Sequence, residues 1–291
     1  MAQTTLTTLA TALPTEMIVA TFIEEARPFN VASPLVLNDR LPQGKGLVWD
    51  KPKLPTTTAS AVGEETDITP AARTTSGAEI TIAEVGLGTD VTDLAQETTA
   101  AGVADLITWV QSQGRAVGQK ITGDICALLS ALNSGTAVGG TGVNITVANF
   151  IEAIYTLDNA NAPGIKTCIL HPRQIWDLFA AIVAATGTVH SNLPELVREG
   201  RLPQGTPAAG FMGELLGIPT YQTTEVPTAN SAADRAGGMF TREAMGFIQL
   251  RPVRAEYDRN ASARTTEIIV TTAYGVGEIV DGYGVPIVTD A

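Results

Sequence analysis

The sequence predicts an α+β chain of elongated shape, and three patterns predict it. Apolar residues recur at Val103, Leu106, Ile107, Val110, Val117, Ile121, Ile125, Leu128, Leu129 and Leu132, mostly in steps of three, four and seven, which is helical spacing. Carried across residues 91–133, this one helix would hold about forty residues and span roughly 50–60 Å, more than the width of a small domain. Residues 44–88 run into it as a polar, hairpin-like segment with almost nothing to bury. Further on, short apolar runs separated by turn residues read as strands. A compact enzyme has little use for a long helix joined to an unsupported hairpin. A subunit that reaches across its neighbours in an assembly uses both.

Taken in order, residues 1–14 read as a loose arm. Thr15–Ala26 is a helix with Met17, Ile18, Phe22 and Val19 towards one face. It stops at Arg27-Pro28, because a residue before proline is pushed out of the helical region. Residues 31–39 are extended. In the hairpin, 46–50 rise and 78–85 return, with Ile80 and Ile82 on one face and Glu79, Thr81 and Ala83 on the other. The Thr-, Pro- and Ala-rich stretch between them is a loop of a length that is usually functional or disordered. A lone two-stranded hairpin is marginal in water, so this one gains by lying on another subunit.

Asp93 followed by Gln96 resembles a capping box for the long helix, and Asn133-Ser134-Gly135 is a stop. Gly102, Gly114, Gly118 and Gly123 lie inside it, each costing about 1 kcal/mol relative to alanine. They serve either close packing of another backbone or bending. After a Gly/Thr linker, Thr146 caps a helix carrying Phe150, Ile151, Ile154 and Leu157. Residues 165–170 form a buried strand, and His171-Pro172 turns it into a helix with Ile175, Leu178, Phe179, Ile182 and Val183, since proline suits the first helical turn. Residues 185–209 are loop-rich, and 215–226 hold a Gly-Ile-Pro turn and a strand. Residues 246–258 and 265–274 form a hairpin around the charged loop 258–264, and 276–288 are a last strand. No internal repeat is visible.

Composition narrows the function classes. At 291 residues the chain holds one large domain or two small ones. A net charge of −12 with no basic cluster argues against a sequence-reading nucleic-acid binder. Cys126 and Cys168 sit in apolar stretches and read as buried thiols, consistent with a reducing cytoplasm. The first residues lack the basic and apolar parts of a signal peptide, and no run is long enough for a transmembrane helix.

Signatures of catalysis are missing. There is no G-x-S-x-G elbow, and Gly44-Lys45 lacks the surroundings of a phosphate loop. Gly275-Val-Gly277 and Gly282-Tyr-Gly284 read as turns or tight strand crossings. Of the two histidines, His171 reads as a helix-start residue, and His190 has no metal-ligand spacing to it. No catalytic, cofactor-binding or metal site is predicted. Glu64, Glu65 and Asp67 form an acidic loop face. Trp49, on a poorly buried strand, needs a partner surface, either core or a neighbouring subunit. The candidate intersubunit contacts are Trp49 and Lys51 on the hairpin, Glu64 and Glu65 beyond it, and Asp258, Arg259 and Arg264 in the charged loop.

Three stretches carry a family likeness: Cys168-Ile-Leu-His-Pro-Arg-Gln-Ile-Trp-Asp-Leu; Gly213-Glu-Leu-Leu-Gly-Ile-Pro-Thr-Tyr leading to Thr224-Glu-Val-Pro; and Thr271-Thr-Ala-Tyr-Gly-Val-Gly-Glu-Ile-Val. With the order of arm, hairpin, long helix, α/β part and return hairpin, the chain resembles the major capsid proteins of tailed bacteriophages, the Hong Kong 97 (HK97-like) fold. Each motif is weak alone; their order over nearly the whole chain gives the specificity. The resemblance implies an N-terminal arm at 1–43, an extended loop at 44–90, and a peripheral domain with its spine helix at 91–141. It implies an axial α/β domain at 142–245, a peripheral return hairpin at 246–275, and a final strand at 276–291 that rejoins the axial domain.

The resemblance further implies self-assembly through hexamers and pentamers into an icosahedral shell around double-stranded phage DNA, without base-specific binding or a membrane. The protein would reside in the virion after assembly in the host bacterial cytoplasm, with scaffolding, portal and decoration proteins as possible partners. No charged helical segment stands before the arm: either it is removed before this sequence begins or assembly uses a separate scaffolding protein, and the start at Met1 favours the second. Some relatives crosslink a loop lysine to an asparagine; here Lys45, Lys51 or Lys53 and Asn260, assisted by Glu267, lie in comparable segments. Other readings are an encapsulin-type shell, a tail or decoration protein, or a cytosolic enzyme whose site the sequence does not reveal.

Overall fold

The computed structural model describes residues 15–26, 29–42, 44, 46–53, 59, 61–62, 64, 76–98, 103–186, 210–230 and 233–290. Two sheets and a short ribbon organise them.

The larger sheet belongs to the middle of the sequence. Its strands are β5 (Val138–Gly139), β6 (Lys166–Leu170), β7 (Phe211–Leu215), β8 (Ile218–Gln222), β9 (Thr228–Ala229), β10 (Asp234–Thr241) and β13 (Gly284–Asp290). The order is β5-β13-β10-β6-β8-β7, with β9 beside β10. Helices α4 (Val147–Asn159) and α5 (Pro172–Thr186) cover it, burying Phe150, Leu157, Ile175 and Leu178 with Cys168, Leu170, Met239 and Ile287. The start of α4 is a reciprocal cap: Asn149 N–H donates to Thr146 Oγ1 at 3.3 Å, and Thr146 N–H donates to Asn149 Oδ1 at 3.1 Å. Gln174 ties the start of α5 to the sheet. Its Nε2 donates to Thr289 Oγ1 at 2.8 Å and to the Arg235 carbonyl at 3.0 Å, while its Oε1 accepts the His171 N–H at 3.0 Å. The turn expected at Gly-Ile-Pro falls one step earlier. Leu216 (φ +52°) and Gly217 (φ +77°) join β7 to β8 in the paired positive-φ conformation of a tight hairpin, and Ile218 and Pro219 already belong to β8.

The smaller sheet has the order β1-β11-β12-β4. Strands β11 (Met245–Asn260) and β12 (Thr265–Glu278) are the long return hairpin, flanked by β1 (Leu37–Arg40) and β4 (Ala83–Thr92). Helix α1 (Thr15–Ala26) and the long helix α3 (Val103–Ala127) pack with this sheet. Phe22, Val117, Ile121, Ile125 and Leu129 share one apolar cluster with Phe247, Val270 and Tyr274, and also with Ile169 and Phe240 of the larger sheet.

Five expectations need correction. The long helix is shorter than 91–133: Val91 and Thr92 finish β4, α2 (Asp93–Thr98) follows, and α3 has 25 residues, about 37 Å. The reason is pairing, since Val91 lies opposite Thr266 and is buried, and β-branched residues suit a strand. Thr92, not Asp93, is the cap, accepting the Ala95 N–H at 3.2 Å. Residues 31–39 are not uniformly extended, because Ser33–Leu35 form a 3₁₀ turn with Pro34 before β1. Nor is 276–288 one strand: β12 continues to Glu278, Asp281–Tyr283 turn, and β13 begins at Gly284. The long helix also ends before its expected stop: Leu128–Ala131 form a 3₁₀ turn after Ala127, and Asn133, Ser134 and Gly135, all at positive φ, belong to a separate turn beyond it. Gly102, the loops at 54–58 and 187–209, and the side chains of Met17, Ile18, Val19 and Val183 lie outside the described residues.

Candidate assembly surfaces

The hairpin is β2 (Val48–Lys53) paired with β3 (Ser76–Thr81). The sequence offers this segment almost nothing to bury, and what it offers packs at the root. Trp49 and Ile80 are cross-strand partners and both are buried, in a cluster with Leu41, Ile82, Ile248, Ala273 and Ile279. Of the two surfaces expected for Trp49, the structure places the ring in the chain's own core, with Nε1–H donating to Asp39 Oδ2 at 3.0 Å. Ile80 sits on a patch stripped of side chains. A Cβ added at Gly277 would lie 2.7 Å from Ile80 Cγ1; at Gly246, 3.0 Å from its Cδ1; at Gly275, 3.0 Å from its Cγ2 and 2.5 Å from the Thr81 carbonyl oxygen. Gly275-Val-Gly277 is thus a tight strand crossing, as expected. Beyond the root, Lys51 is half-buried opposite Ala78, and Glu64 is exposed. Glu65 and Lys45 lie outside the described residues.

At the far end of the small sheet, the charged loop is braced within its own chain. Arg259 donates to both Asp93 carboxylate oxygens, Nη1 to Oδ1 at 2.7 Å and Nη2 to Oδ2 at 2.6 Å. That guanidinium holds the Asp93 carboxyl below the ordinary carboxylate range. The Arg264 carbonyl accepts the Asp93 N–H at 3.0 Å, and Arg264 itself turns at φ +52°. Asp258 is exposed and accepts the Arg259 N–H at 2.7 Å. The sequence reading grouped Asp258, Arg259 and Arg264 but missed Asp93, which is 166 residues from Arg259.

Helix α1 crosses α3 at glycines. A Cβ at Gly114 would lie 2.7 Å from the Phe22 carbonyl oxygen, and one at Gly118 2.6 Å from that of Ala26. These two glycines therefore serve close backbone packing. Arg115 strengthens the crossing through an ion pair with Glu25 at 3.1 Å. Elsewhere, apolar side chains stand outward. Ile151 is 51% exposed and Tyr155 68%, four residues apart on α4, and Trp176 on α5 is 61% exposed. The helical pattern had put Ile151 inward with Phe150; the buried face instead runs through Phe150, Ala153 and Leu157.

His171 and the two cysteines are the remaining residues that the sequence singled out. His171 Nδ1 accepts the Arg173 N–H at 3.3 Å, and burial together with nearby Arg235 pulls its pKa down, which suits a neutral helix-start residue. Burial pushes the Cys126 thiol up to about 12 and the Cys168 thiol up as well. Among the described residues, no group of His, Cys, Asp and Glu could hold a metal ion, and no helix is long and apolar enough to cross a membrane.

No protein-family profile matches the sequence, and no curated protein matches it. Solved structures do. The capsid of the cyanophage P-SCSP1u is 16% identical, with 88% of this chain and 86% of that chain covered and a TM-score of 0.62. A structure of Gordonia phage Cozz is 15% identical over 90% and 87%, at 0.61. The head of the Helicobacter pylori bacteriophage KHP40 is 13% identical over 91% and 90%, at 0.60. At these identities the likeness concerns the path of the whole chain rather than individual side chains. The chain carries the fold of bacteriophage capsid proteins.

Proposed function

We propose that this chain is the major capsid protein of a tailed bacteriophage, assembling through hexamers and pentamers into an icosahedral shell around double-stranded DNA. The supporting observation is the capsid fold over nearly the full length, including 86% of the cyanophage capsid chain. In this reading residues 1–43 are the arm, 44–90 the extended loop, 91–141 and 246–275 the peripheral domain with α3 as its spine, and 142–245 with 276–291 the axial domain. The pairing of β13 with β10 supports the return of Gly284–Asp290 to the larger sheet, while β12 keeps Val276–Glu278 in the smaller sheet and β5 joins the larger one.

The function is association rather than catalysis. Head-to-tail contacts close into rings when the rotation permits. A subunit held by several neighbours gains through effective concentration even when each contact is weak. Lys51 on the hairpin, Glu64 and Glu65 of the loop beyond it, and Asp258 are the charged candidates for contact with neighbours, while Arg259 and Arg264 stiffen the loop that presents Asp258. The net charge of −12 keeps the wall from gripping DNA, so the shell confines its contents without reading bases. Scaffolding, portal and decoration proteins are possible partners, and the virion is the expected location.

Negative-stain microscopy of the purified chain, with sedimentation velocity alongside, tests this. Closed shells, tubes, or discrete pentamers and hexamers are expected. A chain that stays monomeric or dimeric under crowding and with its scaffold supplied overturns the proposal.

A further inference from the structure

We infer that Ile80 is the residue that sets the direction in which the β2–β3 hairpin leaves the subunit, and through it the curvature of the shell; the second half rests on the capsid reading above. Along β2 and β3, Trp49 and Ile80 are the buried residues, and they face each other across the ribbon. The burial is therefore concentrated near the base of the hairpin, where Ala78 and Ile82 join the same cluster and Trp49 donates to Asp39. Gly246 and Gly277 are direct partners across β11 and β12, and Gly275 pairs with Ile248 two residues along β12. None of the three has a positive φ, so an alanine backbone would fit each place. What a methyl would not fit is the space: it would meet Ile80 at 2.7–3.0 Å at all three positions, and also the Thr81 carbonyl oxygen at 2.5 Å from Gly275 and Ile279 Cδ1 at 2.9 Å from Gly246. The glycines form a socket, and Ile80 is the knob.

Leverage makes the socket matter. Ser76 lies four residues along β3 from Ile80, roughly 13 Å, so a tilt of about 10° at the root moves that end by about 2 Å. That is enough to pull a hydrogen-bonding pair out of reach. A contact made at the far end would then form with the wrong partner atoms, and neighbouring subunits would meet at a different angle.

The test places spin labels on Ser76→Cys and Arg254→Cys, one at the far end of β3 and one on the sheet bearing the socket. The native thiols are buried. The otherwise unaltered labelled protein should give one narrow distance distribution. Ile80→Ala should roughly double its width, because an unanchored hairpin samples several tilts. Ile287→Ala, which empties core space in the larger sheet, should leave the width unchanged and so controls for general loosening. Gly277→Ala should shift the mean distance, and adding Ile80→Ala should remove that shift. Assembled Ile80→Ala particles should have mixed diameters where the wild type has one.

Equal widths for wild type and Ile80→Ala, or equal broadening by Ile287→Ala, would overturn the anchoring. Broadened distances with unchanged particle diameters would overturn the curvature half. If the distances behave as expected and the wild type never builds shells, the capsid reading fails while the anchoring stands.

Discussion

Where α1 crosses α3, glycine lets one backbone rest on another; where β3 crosses β12, it lets a single side chain sink onto a sheet. The first contact is spread along α1. Carbonyls of Phe22 and Ala26 lie over Gly114 and Gly118, Phe22 is fully buried, and Glu25 pairs with Arg115. The second is concentrated in the Trp49–Ile80 pair. A distributed contact fixes a helix and contributes to the stability of the whole core. A point contact fixes an angle and leaves the rest of the hairpin available to a neighbour. The same residue type thus builds the rigid interior in one place and an oriented projection in the other.

Perturbations of the distributed contact should act mainly on stability. Phe22→Ala removes a fully buried ring from α1 and should cost about 3–5 kcal/mol, read from urea unfolding. A loss below about 1 kcal/mol would mean that α1 is not part of the cooperative core. Gly118→Ala should come next, costing about 1–3 kcal/mol, because the methyl meets the Ala26 carbonyl oxygen at 2.6 Å. Gly123→Ala sharpens that claim by changing its sign. The nearest atom to its methyl is Glu225 Oε2 at 3.7 Å, so the helix-propensity gain of up to about 1 kcal/mol should appear as stabilisation. Equal effects at the two positions would show that close approach is not what glycine provides in α3.

The smallest effect is expected at the charged loop, which is exposed. The Arg259 guanidinium lowers the folded-state pKa of Asp93 from its ordinary 3.8. A depressed carboxyl pKa contributes stability above the unfolded value, and that contribution fades as pH falls through the folded value. Asp93→Asn should therefore be slightly less stable than wild type at neutral pH, with the difference shrinking below pH 3.8. A difference that grew in acid would contradict the assignment. Unfolding midpoints at neutral and strongly acid pH measure it.

The larger sheet and its helices were more legible in the sequence than the smaller one. The cap at Thr146, the strand through Cys168–Leu170 and the proline start of α5 are set by neighbours in the chain, so local pattern reveals them. The β4 boundary was not legible. Val91 and Thr92 fit the start of a helix as readily as the end of a strand, and the pairing of Val91 with Thr266 decides it. The hairpin root was legible only in halves. Ile80 and Ile82 stood on one face, and Gly275 and Gly277 read as a crossing, but nothing local connects them. A socket made of glycine also gives no hydrophobic signal of its own. The Asp93–Arg259 pair was hidden for the same reason, with two ordinary charges distant in sequence. The outward Tyr155 and Trp176 sit on helices whose inner faces alone follow the apolar period.

The most direct measurement is a side-chain-resolution reconstruction by electron cryomicroscopy of particles assembled from this chain, with scaffold supplied where needed. The account predicts closed shells in which each β2–β3 hairpin lies on a neighbouring copy while Ile80 stays in the socket of its own subunit. Particles that fail to form, or hairpins that touch their own subunit alone, would contradict it.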